Sequence, residues 1–220
     1  MLYSELQCSE AIHKAVERMG FAEMTEIQEK TIPVMLVGRD VIAKAPTGTG
    51  KTCAFGIPVA EHIDPEKKYP QAVIMAPTRE LAQQIAEELT ELTYFMPEVQ
   101  VACVYGGANM EKQARRLAEG CQIVVATPGR LMDHYKHHSI DLAHVTQVVL
   151  DEADEMLNMG FYKDVRHIIE LMKARKSLSM FSATISREVM DIGWLYQNNA
   201  EEITVQPRDC LLYTSDAADE

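Results

Sequence analysis

The octapeptide Ala45-Pro46-Thr47-Gly48-Thr49-Gly50-Lys51-Thr52 limits what this chain can fold into more than any other segment. It follows an apolar run, Val41-Ile42-Ala43, and opens a helix-forming stretch from about Lys51. Gly48 and Gly50 let the backbone turn so that successive N–H groups face an anion, and the following helix adds its positive end. Lys51 supplies a point charge for terminal phosphates, and Thr52 a hydroxyl for Mg²⁺. Average residue usage produces such an octapeptide in roughly one or two in a hundred chains of this length. Its place between a strand and a helix makes a plain glycine-rich turn a poor alternative.

The rest of the chain supplies the sheet that such a loop requires. Apolar runs at Ala72–Ala76, Val99–Tyr105, Ile123–Ala126, Val145–Leu150, Leu178–Phe181 and Ile203–Val205 read as strands. Between them lie helical stretches. Leu81, Ile85, Leu89 and Leu92 form one stripe, and Val165, Ile168, Ile169 and Met172 another. Asn109–Glu119, Arg130–His138 and Arg187–Gln197 complete the alternation. Strands apolar on both faces, alternating with helices, imply an α/β fold, a mostly parallel sheet with helices on both faces. Ligands then bind beyond the carboxyl ends of the strands.

A second acidic motif fits the first. Asp151-Glu152-Ala153-Asp154 closes the strand Val148-Val149-Leu150, 100 residues after Lys51. At that strand end Asp151 is placed to hold Mg²⁺, directly or through water, and Glu152 to orient and deprotonate an attacking water. An acidic helix N-terminus is the plainer reading of the motif alone, since Asp and Glu favour that position. The phosphate loop tips the balance toward nucleotide hydrolysis.

Composition narrows the setting. The 220 residues suit one sizeable domain. No run approaches 18 apolar residues, and the N-terminus lacks the regions of a signal peptide, so neither a membrane span nor secretion is expected. Five scattered cysteines (Cys8, Cys53, Cys103, Cys121 and Cys210) without a Cys-x-x-Cys pair argue for a reducing, cytoplasmic location. The formal net charge of −12 argues against a general polyanion binder, so any nucleic-acid contact must be local.

Further motifs stand in order along the chain: Pro77-Thr78-Arg79-Glu80-Leu81-Ala82, Gly106-Gly107, Thr127-Pro128-Gly129-Arg130 and Ser182-Ala183-Thr184. With the phosphate loop and the acidic motif, they make residues 2–208 resemble the DEAD-box ATP-dependent RNA helicases, specifically the amino-terminal RecA-like P-loop domain. Gly20-Phe21 through Ile27-Gln28 is similar to the family's adenine-reading Q motif, with Tyr3 at its upstream aromatic position. The resemblance implies ATP and Mg²⁺ as cofactors and RNA as partner. Thr47, Gly48, Thr49, Gly50, Lys51 and Thr52 would hold the phosphates. Gln28 would read adenine, with Tyr3 or Phe21 offering an aromatic face. Pro77, Thr78, Arg79, Gly106, Gly107, Thr127, Pro128, Gly129 and Arg130 would grip the sugar–phosphate backbone. Asp154, Ser182 and Thr184 would couple the nucleotide site to domain movement. The chain departs from the family at Met24 and Glu26, where Pro is usual, and at Tyr3, in place of the commoner Phe.

The family places an arginine finger and half of the RNA cleft in a second RecA-like domain. No matching segment follows Thr184, so a nearly inactive, monomeric fragment is expected. Asp209–Glu220, with four acidic residues and no Lys or Arg, reads as a foreign or disordered tail. A non-catalytic, nucleotide-gated RNA clamp or scaffold is the alternative function. A DNA-translocating relative is disfavoured by Gln28 and the acidic spelling. His134, His137 and His138 read as a solvated helix end, because nothing completes a metal-ligand set. Arg115-Arg116 with Lys112 reads as a solvated face, and Cys53 as a packed small residue.

Overall fold

The structure, a computed structural model, describes residues 1–207. The tail reading for Asp209–Glu220 lies outside the described residues.

Strands and helices alternate from residue 41 onward, as the apolar pattern predicts. The strands are β1 (Val41–Lys44), β2 (Ala72–Met75), β3 (Val101–Val104), β4 (Ile123–Ala126), β5 (Gln147–Leu150), β6 (Ser177–Ser182) and β7 (Glu201–Thr204). They form one sheet in the order β3-β4-β2-β5-β6-β1-β7, and every strand pair is parallel. The helices following β1 to β4 are α3 (Lys51–Glu61), α4 (Arg79–Leu92), α5 (Met110–Ala118) and α6 (Pro128–Lys136). After β5 come α7 (Ala153–Met156) and α8 (Tyr162–Leu171), and after β6 comes α9 (Arg187–Tyr196).

Two helices at the N-terminus have no counterpart in the sequence reading: α1 (Glu10–Arg18) and α2 (Glu26–Leu36). Ser9 caps α1, accepting from the Ile12 N–H. Ile12, Ala15 and Val16 form the buried stripe of α1, and Ile27, Thr31, Ile32 and Met35 that of α2. Strand bounds shrink relative to the apolar runs. β3 starts at Val101 and β5 at Gln147, because the residues before them make turns rather than ladder pairs.

Alternate residues of each strand point to opposite faces, and the core divides accordingly. On one face Val41, Ala43, Ala72, Ile74, Val125, Val149 and Phe181 pack with α1 to α4. On the other Val73, Met75, Val124, Ala126, Val148, Leu150 and Met180 pack with α6, α8 and α9. α3 and α4 approach closely at Gly56, where an added Cβ would lie 2.8 Å from Leu92 Cδ1. Phe55 of α3 meets Phe181 of β6 edge-on, ring centroids 5.3 Å apart. Both rings are fully buried.

One consequence governs function. All seven strands run the same way, so the loops after β1 to β6 emerge at a single edge of the sheet. Phe181→Ala should test the packing under that edge. Removing a fully buried ring costs about 3–5 kcal/mol, and urea denaturation should show a loss of this size at unchanged slope.

Candidate functional site

The loop after β1 runs from Ala45 to Gly50 and enters α3 at Lys51. Gly48 and Gly50 sit at φ +79° and +82°, a left-handed backbone that glycine adopts without Cβ strain. Thr49 Oγ1 donates to the Pro46 carbonyl at 2.8 Å and stiffens the turn. Lys51 is 7% exposed, and its Nζ has no hydrogen-bond partner among the described residues. The nearest opposite charge is Asp151 Oδ1, 3.9 Å away. A buried, unpartnered ammonium is costly; an anion at the loop would satisfy it. The donor set therefore fits a phosphate group.

Asp151 directly follows β5, and its N–H donates to the Met75 carbonyl of β2. Burial pushes its carboxyl up to about 6, against the opposing pull of Lys51. The Glu152 N–H donates back to Asp151 Oδ1 at 2.9 Å. Glu152 itself holds φ +47° and ψ +50°, left-handed for a residue with a Cβ. Such a conformation costs about 1–2 kcal/mol. The half-buried Thr52 hydroxyl and the Asp151 carboxylate are hard oxygen donors, the kind that Mg²⁺ takes alongside water and phosphate oxygens. Among the described residues, no group of three or more His, Cys, Asp or Glu side chains forms a metal cage.

Asp154 joins this cluster to the loop after β6. Thr184 donates to Asp154 Oδ2 from its hydroxyl at 2.7 Å and from its backbone N–H at 3.0 Å. The Asp154 N–H donates to Ser182 Oγ at 3.0 Å. Burial alone would raise the Asp154 carboxyl; hydrogen bonds, chiefly from Thr184, outweigh it and leave the pKa lowered. The structure thus brings Asp154, Ser182 and Thr184 together.

The N-terminal segment closes over the phosphate loop. Gln28 lies on α2 and is 4% exposed, not on the open helix face that its position alone suggests. Its Nε2 donates to the Gly50 carbonyl at 3.0 Å. Its Oε1 accepts from Tyr3 Oη at 2.6 Å and from the Thr25 N–H at 2.9 Å. The Thr25 hydroxyl donates to the Thr49 carbonyl at 2.8 Å, a second tie to the same loop that sequence reasoning missed. A Cβ on Gly50 would lie 2.5 Å from Gln28 Nε2. Tyr3 is buried and shows no open ring face, whereas Phe21, its stacked neighbour at 6.4 Å, is 42% exposed.

Along the same edge, the loops after β2, β3 and β4 carry the remaining candidates. Thr78 caps α4, its hydroxyl accepting from the Leu81 N–H. Arg79 is exposed and lies over the Tyr105 ring, 4.9 Å from its centroid. Gly106 and Gly107 are exposed, the latter at φ +84°. Pro77 is buried under this surface. Thr127 starts α6 with Pro128 in its first turn, leaving the N–H groups of Gly129 and Arg130 at a helix N-terminus. Arg130 Nη1 is held by the Ala108 carbonyl at 2.9 Å and by Gln113 Oε1 at 3.1 Å.

Two expectations change. His134 is no solvated residue: it is fully buried, and its Nε2 lies 3.0 Å from Gln113 Oε1. Burial first, then the charge of Arg130, holds its pKa below the usual histidine value. The spacing Leu131 to His134 (i, i+3) on the buried face of α6 carried that signal. Arg116 does not simply face solvent either, since its Nη2 donates to Gln100 Oε1 and the Val101 carbonyl. Cys53 is packed as expected, with Sγ 3.3 Å from Glu88 Oε1 and its thiol pKa raised by burial.

Fold and site together define a RecA-like P-loop domain. The family profile described as DEAD/DEAH box helicase matches residues 25–192, and the chain belongs to that family. It is 45% identical over its whole length to the ATP-dependent RNA helicase CshA of Limosilactobacillus reuteri, covering 44% of that protein. It is 47% identical to the CshA of Listeria monocytogenes, over 94% of this chain and 40% of that one. Among solved structures, a DEAD box protein from Methanococcus jannaschii matches with a TM-score of 0.87 and 38% identity, over 94% of this chain and 56% of that one. The chain therefore spans less than half the length of these curated relatives. No helix among the described residues is long and apolar enough to cross a membrane.

Gln28→Ala should test the closure over the loop. It strands the buried Tyr3 hydroxyl, while the Gly50 carbonyl keeps the Ala54 N–H at 3.2 Å, and an unsatisfied buried group costs about 1–3 kcal/mol. Thermal and urea unfolding should show the loss; parental stability would refute the closure.

Proposed function

We propose that this domain is the ATP-binding half of an ATP-dependent RNA helicase, coupling Mg-ATP binding and hydrolysis to RNA binding and duplex unwinding. The observation that carries the reading is the buried Lys51 ammonium, without a hydrogen-bond partner among the described residues, beside Asp151 at the mouth of a glycine-turned loop. The names of the CshA relatives support it.

The phosphates would lie against the N–H groups of Thr47 to Thr52, with Lys51 on the terminal ones. Thr52 and Asp151 would hold Mg²⁺, which supplies charge neutralisation at the phosphates when bound. Glu152, bent out of the strand by its left-handed backbone, would orient the attacking water and take its proton. Gln28 reads adenine at the price of its present partners, because both lone pairs of Oε1 are already taken by Tyr3 and Thr25. Phe21 offers the open aromatic face. Arg79, Thr78, Gly107, Thr127, Gly129 and Arg130 would hold the RNA backbone through guanidiniums, hydroxyls and N–H groups. Few of these are charged, which reconciles an RNA site with the net charge of −12. Full turnover and unwinding need the arginine finger of a second RecA-like domain, worth about 10³–10⁵ in rate. The Asp154–Thr184 link would transmit the state of the nucleotide site to that partner.

Lys51→Ala should leave a folded domain whose Mg-ATP affinity falls by roughly ten- to a hundredfold, the equivalent of one charge-assisted contact. Isothermal calorimetry decides it, and unchanged affinity would remove Lys51 from the phosphate site. In a chain joined to a second RecA-like domain, Glu152→Gln should retain ATP and RNA binding while hydrolysis drops about 10²–10⁴-fold. Parental turnover in a coupled ATPase assay would show that the base lies elsewhere.

A further inference from the structure

The loops proposed to meet RNA are joined beneath the surface by a side chain outside every motif described above. Gln113, 8% exposed, lies on the buried face of α5 with Leu117 one turn on. Its Nε2 donates to the Tyr105 carbonyl, just before Gly106-Gly107, at 3.0 Å. Its Oε1 accepts from Arg130 Nη1 at 3.1 Å and faces His134 Nε2 at 3.0 Å. One amide therefore spans the β3–α5 loop and the start of α6.

The orientation of this amide is dictated by its neighbours. A flipped amide would aim its NH₂ at the Arg130 donor and its oxygen at the Tyr105 carbonyl. Burial and the charge of Arg130 keep His134 neutral, and the Nε2–H tautomer satisfies Gln113 Oε1. Arg130 Nη1 is spent on Gln113 and on the Ala108 carbonyl, whereas Nη2 makes no hydrogen bond among the described residues. The guanidinium is thus pinned through Nη1, with Nε 3.7 Å from Asp133 Oδ2, while Nη2 remains available. Asn109 stiffens the same loop by capping α5 at the Lys112 N–H.

We propose that Gln113 is a positioning residue for RNA. It holds Arg130 and the Gly106-Gly107 loop in one fixed arrangement, so that a single-stranded RNA backbone meets both without paying to order them. The inference rests on the RNA reading above. Gln113 touches no RNA itself; it acts through Arg130 and the loop.

The test titrates a fluorescein-labelled single-stranded oligouridine into this chain at low salt, read by anisotropy. Mg-ATP affinity and near-UV circular dichroism are followed alongside. Gln113→Leu removes all three contacts and should weaken RNA binding about tenfold, with Mg-ATP affinity unchanged. Gln113→Glu keeps an oxygen for Arg130 and His134 but sets a second oxygen against the Tyr105 carbonyl, so it releases the loop while Arg130 stays held, and the loss should be smaller, about threefold. This variant decides the matter if Gln113→Leu does not fold. Combined with Arg130→Ala, the Gln113 substitution should add much less than it does alone, because both remove the same contact. Full additivity, or parental RNA affinity in the folded Gln113 variants, would overturn the proposal and leave the RNA reading standing. No RNA binding by the parent chain would overturn the RNA reading and the proposal with it.

Discussion

Two opposite charges 100 residues apart in sequence, Lys51 and Asp151, lie 3.9 Å apart at the end of the sheet, both nearly buried. Neither is adjacent to the other by secondary structure. β1 delivers Lys51 through the phosphate loop, β5 delivers Asp151, and β6 lies between them in the ladder. The spacing holds because the parallel register is fixed: Leu150 pairs with Met180 and Lys44 with Ser182. A one-residue slip of β5 would turn Asp151 to the other face of the sheet. The apolar core on both faces of the sheet is thus what keeps two ions close in a place where neither is well solvated.

Around that pair, buried polar groups are tied to the loops they sit under. Gln28 and Thr25 hold the carbonyls of Gly50 and Thr49. Thr184 holds Asp154. Gln113 holds Arg130 and Tyr105. Gln28 and Gln113 have left water, so their partners are obligatory rather than incidental. The result is a set of loops whose conformations are specified from below. This matters for an acidic domain. With little general attraction for a polyanion, binding must come from donors placed in advance.

Strand order also divides the site. β3, β4 and β2 carry the Gly106-Gly107, Thr127–Arg130 and Thr78–Arg79 loops. β5, β6 and β1 carry the acidic motif, Ser182-Ala183-Thr184 and the phosphate loop. The two groups of loops meet where β2 pairs with β5. In the chain the first group falls between the phosphate loop and the acidic motif, whereas the sheet gathers the two groups into neighbouring surfaces.

The sequence by itself determined the fold class and singled out candidate residues that the sheet then carries to one edge. Strands apolar on both faces leave only a covered parallel sheet, and Gly48, Gly50 and Lys51 have few other uses between a strand and a helix. The N-terminal helices are faint in the sequence because their apolar stripes, Ile12–Val16 and Ile27–Ile32, are short. Tertiary structure alone decided burial and partners. His134 is solvated or buried according to what packs on α6, and Gln113 is an ordinary polar helix residue until the loop after β3 brings Tyr105 and α6 brings Arg130. Local sequence encodes which backbone conformations a segment favours. Which side chains share a hydrogen bond depends on strand order and register, which many distant apolar contacts set together.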